Sequence, residues 1–375
     1  MELERSHNTN QYPLLLLWLL LPLFVLSACQ GSSSDNSANT SNPPPPPSTV
    51  VMKGDRILSV AINPGADNNF NNAFAQGQAL GMQATSLALD WDDLETSPNT
   101  YNPNPNNLAI AESFYPGVNT QISLEINPID TVKRRMPSDL MSLPFDNPLV
   151  ISRYESLLQW AFSQIPDLQL TSLTIGNEVD VYLDNNPSEW PQYITFFQQV
   201  SAYARTLRPG LKVGVKGTFA GMSGPAQANM QALNQYSDAV QVTYYPLNLN
   251  FSPESPTVVS TDFNTLTDLY PGRIIYLLEA GYPSSTGCAS SEALQSQFID
   301  QIFSAWDAHA DQIKLISFFS LTDLSPQAVS QLLTYYGNST PCFADYLGIL
   351  GLITYNGQEK QAYMELGNDT HVRGW

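Results

Sequence analysis

From residue 55 onward, short apolar and β-branched runs alternate with segments whose apolar positions recur every three to four residues. Eight runs read as strands: Arg56–Ile62, Ala84–Leu89, Thr120–Ile126, Thr171–Ile175, Leu211–Val215, Ala239–Tyr244, Arg273–Leu278 and Ile313–Phe319. Between them, Val150, Tyr154, Leu157, Leu158, Ala161 and Phe162 fall on one helical face, as do Tyr193, Phe196, Phe197, Val200, Ala204 and Leu207. Pro209-Gly210 stops the second of these, and a third helical pattern runs from Ser291 to His309. Strand–helix alternation predicts parallel strands joined by crossover helices. Eight repeats over ~310 residues predict an α/β fold of the (β/α)8 TIM-barrel type, whose functional residues sit at the C-terminal strand ends. The alternative, an open doubly wound sheet, usually brings a glycine-rich phosphate loop after its first strand. Here that strand runs into Asn63-Pro64-Gly65, with no GxGxxG or P-loop.

The first fifty residues carry a different pattern. Pro13 to Leu26 is an apolar run short for a bilayer span but suited to a signal-peptide core. It ends in Leu26-Ser27-Ala28-Cys29, which resembles a bacterial lipobox with Cys29 as the lipidated residue. A Ser/Asn-rich stretch and Pro43 to Pro47 follow, a composition that buries no apolar surface and predicts a disordered tether stiffened by polyproline II. The expected organisation is a signal peptide over 1–28, a linker over 29–52 and one barrel domain over 53–375. The expected location is the membrane, reached through the N-terminal lipid, with Gln30 rather than Asp after the cysteine pointing to the outer membrane.

Composition narrows the chemistry. Only 13% of the 375 residues are charged, and the formal net charge is −19. That balance disfavours nucleic acid, whose phosphates need Lys and Arg, and polyanionic sugars equally. Three histidines and three cysteines are too few for a zinc cluster, so neither metal nor cofactor is expected. No histidine follows a strand, which argues against a Ser-His-Asp arrangement. With Cys29 assigned to lipid, Cys288 and Cys342 remain. In an exported chain they either form a disulfide across adjacent loops or stay as two buried thiols.

The acids at strand ends carry the functional reading. Gly176-Asn177-Glu178 follows the fourth strand, and Glu279-Ala280-Gly281-Tyr282-Pro283 follows the seventh. In a closed barrel these two glutamates converge on one cleft. Two carboxyl groups flanking a small gap, ~5–5.5 Å apart in a retaining enzyme, are the apparatus of glycoside hydrolysis. The structural alternative for Glu178 is an exposed acid capping the next helix, a role Asp180 would fill equally. Other candidates at strand ends are Asp90, Trp91, Glu95, Glu125, Asn127, Tyr282, Phe319, Thr322 and Asp323. Trp91 and Tyr282 are candidate stacking platforms for a sugar ring, although rim aromatics often only pack.

On these residues the chain resembles the clan A retaining barrel glycosidases. TIGNEV (Thr174–Val179) and LLEAGYPSS (Leu277–Ser285) resemble both the 1,3-β-glucanase and the endo-β-1,4-galactanase families. VTYYP (Val242–Pro246) is closer to the galactanases, and GILGLITYNGQEKQAY (Gly348–Tyr363) resembles the closing segment of many clan members. The resemblance implies Glu178 as acid and then base, Asn177 on the sugar 2-hydroxyl, Glu279 as nucleophile and Tyr245 as its hydrogen-bond partner. It departs from the clan in having no arginine after the second strand, where the chain reads LDWDDLE; Arg134 and Arg135 lie beyond the third. After the eighth strand, Phe318 or Phe319 stands where many members carry Trp. The expected function is hydrolysis of a neutral β-linked glycan by double displacement. The alternative is a carbohydrate-binding lipoprotein without turnover, and transglycosylation would use the same residues.

Overall fold

The computed structural model describes residues 50–375; the apolar signal run, Cys29 and nearly all of the tether lie outside the described residues. Eight strands form the barrel: β1 (Ile57–Val60), β2 (Ala84–Asp90), β3 (Gln121–Asp130), β4 (Leu170–Asn177), β5 (Val213–Gly214 and Lys216–Thr218), β6 (Val240–Tyr244), β7 (Ile275–Ala280) and β8 (Ile313–Phe318). Each pairs in parallel with its neighbour, and β1 pairs with β8. The ring closes through β5, whose first piece pairs with β4 and whose second pairs with β6. Among the described residues, no helix is long and apolar enough to cross a membrane.

The helical patterns become Pro148–Gln164, Trp190–Leu207 and Glu292–Ala308, each burying the face its spacing defines. Three strands depart from expectation in ways that move chemistry. β3 continues four residues past Ile126, through Asn127-Pro128, because a register irregularity against β4 absorbs the proline. β5 extends past Val215 to include Lys216. β7 runs to Ala280, so Glu279 lies inside the strand rather than beyond it.

Strand alternation sorts the interior into layers. Leu58 and Val60 belong to the large cluster between barrel and helices, which also takes in Ala73 and Phe74 of the first crossover helix (Phe70–Ala79). On the opposite face, Ala239, Tyr276, Leu278 and Leu315, with Ile57 against them, form a separate cluster that fills the lower barrel. The upper interior is polar, and it holds the buried side chains of Glu125, Lys216, Gln241, Thr243 and Glu279.

Two features close the ends. At the bottom, Arg56 at the start of β1 binds Asp307 at 2.8 Å, and Arg373 of the C-terminal helix binds the same carboxylate at 2.9 Å. At the top, the segment after β8 forms helices Pro326–Tyr336 and Pro341–Gly348. Their Tyr336, Phe343 and Tyr346 join Phe251, Phe319 and Leu350 in an aromatic cap. A Cys288–Cys342 disulfide ties this cap to the segment after β7.

Candidate active site

The backbone at the end of β4 is bent by two residues of positive φ. Gly176 (φ +90°) leaves no room for a side chain, since a Cβ there would collide with the Tyr193 hydroxyl. Glu178 itself is left-handed (φ 42°, ψ 47°), a conformation that costs a non-glycine residue about 1–2 kcal/mol. It stands at the N-cap of helix Val179–Asn185, yet its side chain makes no cap hydrogen bond. The carboxyl turns into the barrel, where Thr243 Oγ1 donates to Oε1 at 2.6 Å and Thr131 Oγ1 to Oε2 at 3.2 Å. Asp180, by contrast, is structural: it accepts from the backbone N–H and hydroxyl of Thr218 at 2.9 and 2.6 Å.

Glu279 receives a different set of donors. Lys216 Nζ reaches Oε1 at 2.5 Å and Tyr245 OH reaches Oε2 at 2.8 Å. Tyr245 approaches because position 281 is glycine; a Cβ there would meet the Tyr245 ring at 2.8 Å and the Phe319 carbonyl at 2.7 Å. Tyr244 points the other way, packing edge-on against Phe219 and Phe263 and donating to Asp262. Thr243, whose hydroxyl holds Glu178, is the register partner of Glu279. The two glutamates therefore meet at one place, both essentially inaccessible at 0% and 2% exposure. Burial, with the negative charge of Glu279 adding to it, lifts the Glu178 carboxyl well above the usual carboxylate range.

Around this pair lies a shelf of polar groups from β2, β3 and β4. Asn177 Nδ2 donates to Asp130 at 2.8 Å, while its Oδ1 has no hydrogen-bond partner among the described residues. Asp130 also accepts from Tyr335 OH of the cap at 2.9 Å. Burial, reinforced by Asp90, holds the Asp130 carboxyl well above its ordinary value. Asn127 Oδ1 is likewise buried without a partner among the described residues. Buried acceptor oxygens left open are what sugar hydroxyls, which are donors, can satisfy. Asp90 is paired with Arg135 at 2.9 Å, and burial pushes its carboxyl up to about 7 despite that arginine.

Other sequence candidates lie elsewhere. Trp91 does not face the cleft: it is fully enclosed, edge-on to Tyr154, with its indole N–H on Glu95 at 2.7 Å. Glu95 in turn binds Arg153 and belongs to the core behind β2. Tyr282 is enclosed as well, stacked on Phe298 and donating to the Glu254 carbonyl. Neither ring offers a free face to a sugar. Phe319 packs edge-on to Tyr245 inside the cap. Asp323 holds Lys360 at 2.6 Å, and Thr322 exchanges hydrogen bonds with Asn63, so both brace the closing segment. Neither arginine after β3 reaches Glu279. Arg134 is held by Glu189 and Tyr182, and Arg135 by Asp90, Asp92 and Asp93. The cation at Glu279 is Lys216, which sequence reasoning missed by ending β5 at Val215. In LKVGVKGT the valines at 213 and 215 alternate with 212, 214 and 216, a period that puts Lys216 on the inner face. Glu125, a strand-end candidate, lies in the barrel interior with both oxygens accepting from Lys216.

No family model matches the chain, and no curated protein matches it. Solved structures do. A GH5_18 glycoside hydrolase from Bifidobacterium longum subsp. infantis superposes with a TM-score of 0.65 at 14% identity, over 84% of this chain and 79% of that one. A GH5_18 from Streptomyces cattleya, solved with GlcNAc, gives 0.66 at 12% identity over 87% and 81%. A psychrophilic glycoside hydrolase family 10 endo-β-1,4-xylanase gives 0.60 at 15% identity over 84% and 98%. At such identities the likeness is one of fold, and the chain has the (β/α)8 barrel found in these glycoside hydrolases.

Proposed function

We propose that this protein is a retaining β-glycosidase acting on a neutral β-linked glycan. The observation that carries the reading is the unequal treatment of two adjoining carboxyl groups. Among the described residues, Glu178 has only hydroxyl donors, in a buried setting that favours its proton. Glu279 faces an ammonium and a phenol hydroxyl, partners suited to a carboxylate. One protonated acid beside one charged carboxylate is the division of labour that double displacement requires.

In the first step Glu178 gives its proton to the glycosidic oxygen while Glu279 attacks the anomeric carbon. The bond to the leaving sugar breaks and a glycosyl ester of Glu279 forms. In the second step Glu178, now a carboxylate, takes a proton from water as that water attacks the same carbon and the ester electrons return to Glu279. The open Oδ1 of Asn177 is placed to accept from a sugar hydroxyl beside this centre. The solved GH5_18 from Streptomyces cattleya was captured in one form with Manb1-4GlcNAc, which supports a neutral glycan as substrate class.

The test is hydrolysis of laminarin, galactan, mannan and xylan by the wild type and by Glu279→Gln. We expect reducing sugar from at least one polysaccharide, and a loss of about 10⁴-fold or more in the variant with its fold intact. Full activity in Glu279→Gln would overturn the assignment. A second reading, glycan binding without turnover, is favoured by the depth of both carboxyl groups beneath the cap, and it predicts retention of a glycan with no product. For the N-terminus we propose lipid attachment at Cys29. Its test is loss of membrane partitioning in Cys29→Ser.

A further inference from the structure

The barrel fold itself has no need of a charge at position 216. Lys216 is 1% exposed, in a strand whose neighbours Val213 and Val215 are fully buried. An ammonium without partners there would be strongly destabilising. Its Nζ instead donates to both oxygens of Glu125, at 2.8 and 2.7 Å, and to Oε1 of Glu279. The three donors of the ammonium are thereby all engaged on carboxylates. Burial pulls its titration down, but the charges of Glu125 and then Glu279 outweigh it and lift it above its ordinary value. The ammonium is anchored from β3, across the barrel from β7.

We infer that Lys216 is the positioning residue of Glu279, and that Glu125 holds its ammonium on the nucleophile's Oε1. The inference rests on the reading of Glu279 as nucleophile. Lys216 and Tyr245 take one oxygen of Glu279 each, which fixes the rotation of the carboxylate about its last bond and sets one lone pair toward the sugar carbon. Among the described residues no arginine touches Glu279, so the ammonium is its one cationic contact. When the glycosyl ester breaks, the electron pair returns to a carboxylate already facing that cation, which makes Glu279 a better leaving group in the second step. The groups that face Glu279 are Glu125 from β3, Glu178 from the end of β4, Lys216 from β5, Tyr245 after β6 and Tyr346 from the cap.

The experiment measures kcat/KM against pH for the full chain on 4-nitrophenyl β-glycosides of glucose, galactose, mannose and xylose. Lys216→Met is expected to lower kcat/KM by about 100-fold or more. Its acid limb should move to higher pH, because a carboxylate without its cation is easier to protonate. Lys216→Arg keeps the charge and should return the limb toward the wild type. Glu125→Gln removes a negative neighbour and should move the limb the opposite way, to lower pH. If Lys216→Met does not fold, Glu125→Gln and Lys216→Arg carry the test. An active wild type whose acid limb stays fixed in every folded variant overturns the role of Lys216 and leaves the glycosidase reading standing. A wild type that turns over none of the four glycosides and none of the polysaccharides overturns that reading, and this inference with it.

Discussion

The two ends of the barrel each bury a cluster of charges, and the clusters are built differently. At the bottom, two arginines meet two aspartates: Asp307 bridges Arg56 and Arg373, and Asp369 pairs with Arg373. The guanidinium planes lie against aromatic rings, Arg56 on Trp306 and Trp375, and Arg373 on Phe303. Charge is balanced there, and cation–π contact adds to it. At the top, one ammonium serves Glu125 and Glu279, while Glu178 and Asp130 stand close by and, among the described residues, form no ion pair. The upper cluster carries excess negative charge, raised carboxyl titrations and open acceptor oxygens. A balanced buried network leaves no charge uncompensated, which limits the energy cost of burying it. An unbalanced one raises that cost, and persists where protons and substrate are to be exchanged. The barrel as an architecture divides its ends in the same way, with stability below and chemistry above.

Three variants sharpen this contrast. The largest effect is expected below: Asp307→Ala leaves two buried guanidiniums facing each other and should destabilise the fold by about 3–5 kcal/mol in denaturant titration. Glycoside turnover by the remaining folded protein should stay within about twofold, because Asp307 is remote from the cleft. A loss of turnover out of proportion to unfolding would break the division between the two ends. Above, Tyr245→Phe removes one of the two donors on Glu279 and should lower kcat/KM by about 10–100-fold with little change in stability. The smallest effect is a gain. Glu178 titrates higher in the folded chain than its ordinary 4.5, so the folded state holds a proton that the unfolded state releases. Stability contributed by that proton is complete below the unfolded value and is lost as pH rises past it toward the folded value. Glu178→Gln escapes this loss. Its melting temperature should exceed that of the wild type by a few degrees at pH 7, and the two should converge below about pH 4. Equal melting temperatures at both pH values would show that Glu178 is not strained by its burial.

Much of this site was legible in the chain because barrel geometry converts strand ends into neighbours. Glu178 and Glu279 stood out by position, and Tyr245 through the resemblance carried by VTYYP. Lys216, Asp130, Thr131 and Thr243 did not. Pro128 reads as a strand breaker, yet a local irregularity carries β3 past it and delivers Asp130 and Thr131 to the cleft. The charge of Lys216 reads as the end of an apolar run, although the alternation around it points inward. Trp91 and Tyr282 show the converse: an aromatic next to a strand end looks the same whether it meets a sugar or the core.

Local pattern alone determined the alternation of strands and helices, the parallel barrel and the places where acids could converge. These follow from periodicity and from the few ways such units can pack. Only the tertiary structure decided which carboxyl keeps a proton, which cation faces which acid, and that an aromatic cap, cross-linked through Cys288 and Cys342, roofs the site. Titration and hydrogen bonding depend on distances across the barrel between residues far apart in the chain, and no local pattern encodes those distances.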